Sequence, residues 1–248
     1  MTDKTVLVTG AAKRIGRAIA LDLANNGFAV AIHYRRSGDD ARTLADEIAS
    51  RGGRAATVAG DLADPDVPER LIADAATALG PLTALVNNAS IFERDGPATA
   101  SADSWDSQMN VNARAPVLLA RHFAAALPAG ATGGIVNLID QRVLKPTPMF
   151  FSYAVSKEAL WSATRMLAQG LAPAVRVNAV SPGPTLPNVR QSADDFRRQQ
   201  EAVLLGRGPS AQEIADAVRF LLESPSVTGQ MLVVDGGQHL AWETPDVV

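Results

Sequence analysis

Tyr153 and Lys157 lie four residues apart in "FSYAVSKEAL", a stretch with helical spacing of its apolar residues. Positions i and i+4 share a helix face. A lysine cation beside a phenol favours the phenolate and lowers the phenol's pKa. A phenol starts near 10, so acid–base work at neutral pH needs a shift of about 3 units, roughly 4 kcal/mol. The pair reads as a proton-transfer unit, although the spacing alone also fits an ordinary structural helix. Asp140 stands thirteen residues before the tyrosine, at the end of the apolar run "GIVNLI". An ionised carboxylate there would repel the charge that develops on a carbonyl oxygen during reduction. It suits a substrate that offers N–H donors or a ring nitrogen to be protonated, or a carboxyl kept neutral by burial.

A second group sits near the start, in "VLVTGAAKRIGRAIA". Strand, glycine turn and helix follow one another. Gly10 opens the turn, and Gly16 allows the helix to approach the strand. N–H groups at the helix start, at Arg14, Ile15 and Gly16, would face a pyrophosphate, helped by the helix dipole, and Lys13 in the turn adds positive charge. About twenty residues on, an NAD site places an acidic residue against the ribose hydroxyls. This chain has Tyr34, Arg35, Arg36 and Ser37 instead. Guanidinium groups and a hydroxyl suit a 2′-phosphate, so the expected cofactor is NADPH/NADP+. Asp61, in "AGDLAD", either accepts from an adenine amino group or caps the helix that follows.

The elements that position these groups can be read along the chain. Strand candidates are "TVLVTG", "FAVAIHY", "RAATVAG", "ALVNNA", "GIVNLI", "VRVNAVS" and "MLVVDGG". Most are nearly continuous in apolar residues, as strands covered on both faces must be. Helix candidates at 14–26, 39–51, 65–79, 102–127, 151–171 and 210–223 lie between them. The alternation predicts an α/β fold, a doubly wound seven-stranded parallel sheet of Rossmann type with helices on both faces. No linker or repeat divides the chain, so residues 1–248 form a single domain. Residues 182–209 depart from the alternation; the segment opens with "PGPTLP" and carries the polar helix candidate "SADDFRRQQEAVLL". It reads as a lid over the substrate site or as a plain surface excursion. Pro116 lies inside the helix candidate 102–127 and has no N–H. A kink there frees the carbonyl of Asn112 to hold a water, or serves packing alone.

Composition narrows the classes. Apolar residues make up 47% and charged ones 20%, which fits a soluble domain with a real core. The net charge of −3, with no block of like charge, points to neither nucleic acid nor a membrane surface. The absence of cysteine excludes thiol catalysis and disulfides. The three histidines are scattered, so no metal site is expected. The N-terminus runs straight into a strand without a signal segment, and the expected compartment is cytoplasmic.

The pieces "TGAAKRIG", "DL" at 61–62, "NNAS" at 87–90, Asn112, "YAVSK", "PGPT" and "VVDGG" resemble, in order and spacing, the short-chain dehydrogenase/reductase family over the whole chain. The resemblance implies that Tyr153 donates or accepts the proton. Lys157 holds the nicotinamide ribose and tunes the tyrosine, and Asn112 anchors a water relay. It also implies cofactor contacts from Leu62, Asn88, Ala89, Pro182 and Gly183, and assembly as a homotetramer. Two departures stand out. Arg14 replaces the middle glycine of the turn, and Asp140 replaces the family's catalytic serine. A third, smaller departure is Ser90, where the family usually has glycine. Together with "HYRRS" and Phe92, these departures resemble pteridine reductases and dihydromonapterin reductases. In that branch the residue at Phe92 stacks on the pterin, and Arg14 reaches both cofactor phosphate and pterin, with Ser90 nearby. The expected substrate is then a small molecule, a reduced pterin or dihydrofolate. Reduction of another carbonyl or imine is the alternative, and a non-catalytic NADPH-binding protein is a third.

Overall fold

The computed structural model describes residues 4–188 and 191–242. All seven apolar runs form strands: β1 (Thr5–Val8), β2 (Ala29–Tyr34), β3 (Ala55–Ala59), β4 (Ala84–Asn87), β5 (Gly133–Leu138), β6 (Val175–Pro182) and β7 (Met231–Val234). They pair in parallel in the order β3-β2-β1-β4-β5-β6-β7. Every residue of β1, β4 and β5 is buried. Helices cover these strands on both sides, which is why their sequences do not alternate. The order reverses between β1 and β4, and a crevice opens beyond their carboxyl ends.

Three helices cover one face: α1 (Arg14–Asn25), α2 (Gly38–Ser50) and α8 (Ala211–Glu223). Ile19, Leu23, Leu44, Ile48, Ile214 and Val218 form its core with β1 and β2. The other face is covered by α3 (Val67–Leu79), α5 (Ala115–Ala126) and α6 (Phe151–Gly170), through Leu71, Ala75, Leu119, Phe123 and Ala168. Of the other helices, α7 (Ala193–Glu201) lines the crevice and α4 (Ala102–Met109) packs on α6. Among the described residues no helix is long and apolar enough to cross a membrane.

The single helix expected over 102–127 is broken. Between α4 and α5 the chain makes a π-turn, Asn110–Arg114, and the Ala115 N–H bonds the Asn110 carbonyl. Pro116 supplies no N–H to the ladder, and an extra residue in the turn absorbs the mismatch. The helix expected at 65–79 starts at Val67, after the Asp66 cap and with proline in its first turn. Among the described residues of the lid segment, helix covers Ala193–Glu201 and stops there, because Val203 turns in to bury and the Leu205 N–H bonds the Gly236 carbonyl.

Helix α6, which carries Tyr153 and Lys157, has no cap of its own. Its N-cap residue is Phe150, at φ +59 with no side-chain cap bond. Asp95, from the loop after β4, replaces it. Its Oδ1 accepts from the Ser152 N–H at 3.0 Å, and its carbonyl accepts from the Phe150 N–H at 2.9 Å. The Ser104 hydroxyl of α4 donates to Oδ2. The start of α6 is therefore fastened to α4 and to the loop beside the crevice.

Candidate active site

The glycine turn is held from behind. Gly10 has φ +61, a conformation glycine adopts without strain. Its N–H donates to His33 Nδ1 at 3.0 Å, and His33 Nε2 bonds the Gly60 carbonyl at 3.1 Å. Since Gly10 donates, Nδ1 is the acceptor and the imidazole proton sits on Nε2. Burial pushes the His33 pKa down to about 4, against opposing effects of Gly60 and Asp61. The Asn88 amide donates to the carbonyls of Thr9 (2.8 Å) and Gly10 (3.1 Å). Thr9 Oγ1 accepts from the N–H groups of Asn88 and Ala89. A Cβ on Gly16 would lie 2.3 Å from the Gly10 carbonyl oxygen and 2.5 Å from the Asn88 amide nitrogen. Gly16 and Asn88 thus shape the turn.

Arg14 has a left-handed backbone, φ +57, the conformation that glycine adopts without strain. That costs about 1 kcal/mol for a residue with a Cβ. Its guanidinium donates to the carbonyls of Pro187 (2.7 Å) and Leu186 (3.2 Å), so it ties the turn to the lid segment. Lys13 pairs with Asp40 at 2.9 Å at the surface.

At the basic end, Arg35 lines the cavity and lies 3.8 Å from Asp61. Ser37 is the N-cap residue of α2, yet its hydroxyl makes no cap bond. That leaves both it and the helix start available to an anion. Arg36 is exposed; it, Ser37 and half-buried Tyr34 lie outside the cavity lining. Asp61 does not cap α3, whose cap residue is Asp66. Asp61 accepts from the Ala63 N–H and closes a tight turn.

The chemical end is built on α6 and the turn after β5. The buried Tyr153 hydroxyl donates to Asp140 Oδ2 at 2.9 Å. Asp140 is also the N-cap of a short 3-10 turn, Gln141–Val143, with Oδ1 accepting from the Arg142 N–H at 2.9 Å. Arg142 Nη1 lies 3.2 Å from each Asp140 oxygen. The same guanidinium carbon is 5.5 Å from the Phe92 ring centre and 5.3 Å from that of Phe150. Phe92 stacks on Phe150 at 4.3 Å and 11°, and meets Tyr153 edge-on at 4.6 Å.

Lys157 is buried, and its ammonium donates to the Leu138 carbonyl at 2.8 Å. Burial pushes its pKa down to about 8, with Asp140 working the other way. The Tyr153 hydroxyl is pushed well above 10, first by burial and then by Asp140, while Arg142 and Ser90 offset part of this. This reverses the expectation that Lys157 lowers it. The ammonium is turned to the Leu138 carbonyl and lies 5.7 Å from the tyrosine ring centre, whereas the carboxylate touches the hydroxyl. Tyr153 is therefore held protonated.

Asn112 is fully buried in the π-turn, with its side chain committed. Oδ1 accepts from the Ile91 N–H (2.8 Å) and the Ser90 hydroxyl (3.1 Å); Nδ2 donates to the Ile91 carbonyl and Ser156. It fixes the Ser90–Phe92 loop against α6.

The two ends share one cavity of about 1040 Å³. Gly10, Lys13, Arg14, Ile15, Gly16, Arg35, Asp61, Leu62, Asn88, Ala89, Ser90, Phe92, Asp140, Tyr153, Pro182 and Gly183 line it. Lys157 and Asn112 stand behind the wall. From the segment 182–209, Thr185, Leu186, Gln191 and Phe196 among others face the cavity; 189–190 fall outside the described residues. Sequence reasoning missed His33, Asp95, Arg142 and Phe150. Only Arg142, a cation two residues past a singled-out carboxylate, carried a readable signal. Among the described residues no group of three His, Asp or Glu side chains gathers to hold a metal.

The profile of the family described as "Enoyl-(Acyl carrier protein) reductase" matches residues 10–239. The crystal structure of FolM Alternative dihydrofolate reductase 1 from Brucella suis, in complex with NADP, superposes with a TM-score of 0.96 at 50% identity, covering 99% of each chain. Pteridine reductase 1 of Leishmania tarentolae is 34% identical over 96% of this chain and 97% of its own. A 3-oxoacyl-[acyl-carrier-protein] reductase, FabG of Staphylococcus epidermidis, is 29% identical over 96% of this chain and 100% of its own. With this fold, this glycine turn and the Tyr153–Lys157 pair, the chain belongs to the short-chain dehydrogenase/reductase family of oxidoreductases.

Proposed function

We propose that the protein is an NADPH-dependent reductase of reduced pterins, of the dihydropterin or dihydrofolate type. The observation that carries this reading is the Tyr153–Asp140 hydrogen bond in the cavity wall beside the Phe92 ring. A proton donor, a carboxylate acceptor and an aromatic face suit a flat heterocycle with N–H groups. The likeness to the Brucella suis FolM and the Leishmania tarentolae pteridine reductase supports it.

The residues present fit the cofactor. The glycine turn and the start of α1, from Gly10 to Gly16, line the cavity, where backbone N–H groups suit a pyrophosphate. Arg35 and the uncommitted Ser37 hydroxyl at the start of α2 suit a 2′-phosphate. The bound cofactor supplies a hydride. Tyr153 holds a proton at its hydroxyl oxygen and would give it to the nitrogen of the C=N bond whose carbon takes the hydride. Asp140 accepts from substrate N–H groups and orients the tyrosine hydroxyl. The positive charges of Lys157 and Arg142 stand near the phenolate left behind. Phe92, stacked on Phe150, lines the cavity where the ring would lie, Arg14 holds the lid segment against the glycine turn, and Asn112 fixes the loop that carries Ser90 and Phe92. A homotetramer in the cytoplasm completes the proposal. Exposed Met166 on α6 and Phe220 on α8 are apolar contacts available to such an assembly.

One observation favours a second reading. Arg142 balances the charge of Asp140, so the carboxylate repels a developing oxyanion less than it would alone. Reduction of a 3-oxoacyl or other ketone, the named activity of the FabG relative, is the alternative. The experiment measures NADPH oxidation with a dihydropterin and with a ketone panel, for the wild type and Asp140→Ser. The pterin reading expects dihydropterin turnover that falls at least about hundredfold in kcat/KM in the variant, about 2.7 kcal/mol, with ketone turnover falling less or rising. Equal losses on both substrates, or no dihydropterin turnover in the wild type, would refute it.

A further inference from the structure

Arg142 is the charged side chain at the chemical end that the sequence motifs leave out and of which the proposed proton transfer uses only the charge. Its placement is unusual in three respects. It holds Asp140 twice, through its own N–H at 2.9 Å and through Nη1 at 3.2 Å to both carboxylate oxygens. Its guanidinium lies within 5.5 Å of the centres of two stacked rings, Phe92 and Phe150, which restrict its rotamers. It lines the cavity, yet four-fifths of the side chain is covered and Nε is buried without a partner. Burying a guanidinium this far is costly unless its charge is used. The pairing also answers why a carboxylate can sit where a hydroxyl would be simpler: its cation is two residues away.

We propose that Arg142 is a positioning residue that sets the orientation and charge balance of Asp140, so that Oδ2 faces the Tyr153 hydroxyl and the substrate. It acts through Asp140 and not on the substrate directly. Four bonds converge on that carboxylate, all of them donated to it: three from Arg142 and one from Tyr153. Without the guanidinium, the side chain loses the partner that fixes its rotation and is free to turn away from the tyrosine. The groups around the tyrosine hydroxyl are Asp140 and Arg142 from the turn after β5, Ser90 from the loop after β4, and Lys157 on its own helix. Of the two cations, only Arg142 touches the carboxylate that Tyr153 bonds. A single nitrogen, Nη1, reaches both oxygens, so an ammonium on a shorter arm can stand in for it.

The proposal rests on the reading of Tyr153 as proton donor, and the test separates the two. Steady-state NADPH oxidation with a dihydropterin is compared for the wild type, Arg142→Met, Arg142→Lys, Asp140→Asn and the double variant Asp140→Asn/Arg142→Met. Arg142→Met is expected to lower kcat roughly thirtyfold, within the factor that positioned proton transfer supplies, with little change in KM for NADPH. Arg142→Lys recovers most of the loss. Because Arg142 works through Asp140, the double variant is no slower than Asp140→Asn alone. The second readout needs no turnover. The chain has two tyrosines, Tyr34 and Tyr153, so 13Cζ-tyrosine labelling gives two signals, assigned with Tyr34→Phe. The Tyr153 signal should move in Arg142→Met and Asp140→Asn and return in Arg142→Lys, while the Tyr34 signal stays. Should Arg142→Met not fold, Arg142→Gln replaces it with the same expectations. Losses that multiply in the double variant, an Arg142→Met rate within about twofold of wild type, or an unmoved Tyr153 signal overturns the proposal. A wild type inactive on dihydropterins and ketones defeats the reductase reading instead, and the NMR comparison still decides whether Arg142 positions Asp140.

Discussion

Acidification should loosen this fold through one imidazole. His33 is 2% exposed, within β2. It accepts from the Gly10 N–H and bonds the Gly60 carbonyl, and its pKa is lowered from 6.5 to about 4, chiefly by burial. Protonation would put an N–H at Nδ1 against the Gly10 N–H, where the fold supplies only a donor. Between pH 6.5 and 4 the unfolded chain therefore binds a proton that the native state refuses. Stability then rises with pH across that window. The contribution is complete above pH 6.5 and is lost as pH falls through the window. At about 1.4 kcal/mol per unit, the loss by pH 4 is about 3 kcal/mol. The assay is urea unfolding followed by tryptophan fluorescence, at fixed protein concentration, from pH 7.5 to 4. His33→Gln serves as reference: it keeps every carboxylate, so their acid contributions cancel in the difference. Wild-type stability should fall by about 3 kcal/mol more than that of the variant across the window. A difference that stays constant with pH would show that His33 does not titrate this way and that the turn is not held by a neutral ring.

Gly16→Ala should prevent cofactor binding and cost about 1–3 kcal/mol of stability, since the added methyl meets the Gly10 carbonyl oxygen at 2.3 Å; fluorescence titration with NADPH and a thermal melt check both. Arg35→Ala should shrink the preference for NADPH over NADH by about tenfold, ~1.4 kcal/mol, and Arg36→Ala by less, because only Arg35 lines the cavity; equal effects in Kd measurements would contradict the placement. Tyr153→Phe should abolish turnover while leaving NADPH affinity nearly intact, measured by stopped-flow turnover and titration; a variant that keeps most of its rate would move the proton donor to another group.

The sequence by itself determined the sheet. Seven mostly apolar runs without alternation became seven parallel strands, since strands covered on both faces favour apolar residues on either side. Spacing also found the glycine turn, the Tyr153–Lys157 helix face and the break at Pro116, all of which act over a few residues. Tertiary structure decided how the charges act. Lys157 does share a face with Tyr153, yet its ammonium turns to the Leu138 carbonyl on β5, and Asp140 takes the tyrosine hydroxyl instead. The sign of the tyrosine's shift follows from that contact, which joins the end of a strand to a helix thirteen residues later. His33, Asp95 and Phe150 were illegible for the same reason. One looked like any residue inside a strand, one like any loop carboxylate and one like a core aromatic. Their roles exist only because β2 runs beside the glycine turn and the loop after β4 folds over the start of α6. Charge–charge energy scales inversely with separation and with the local dielectric, and a hydrogen bond needs direct contact, so which charge governs a group depends on spatial neighbours that spacing along the chain does not specify.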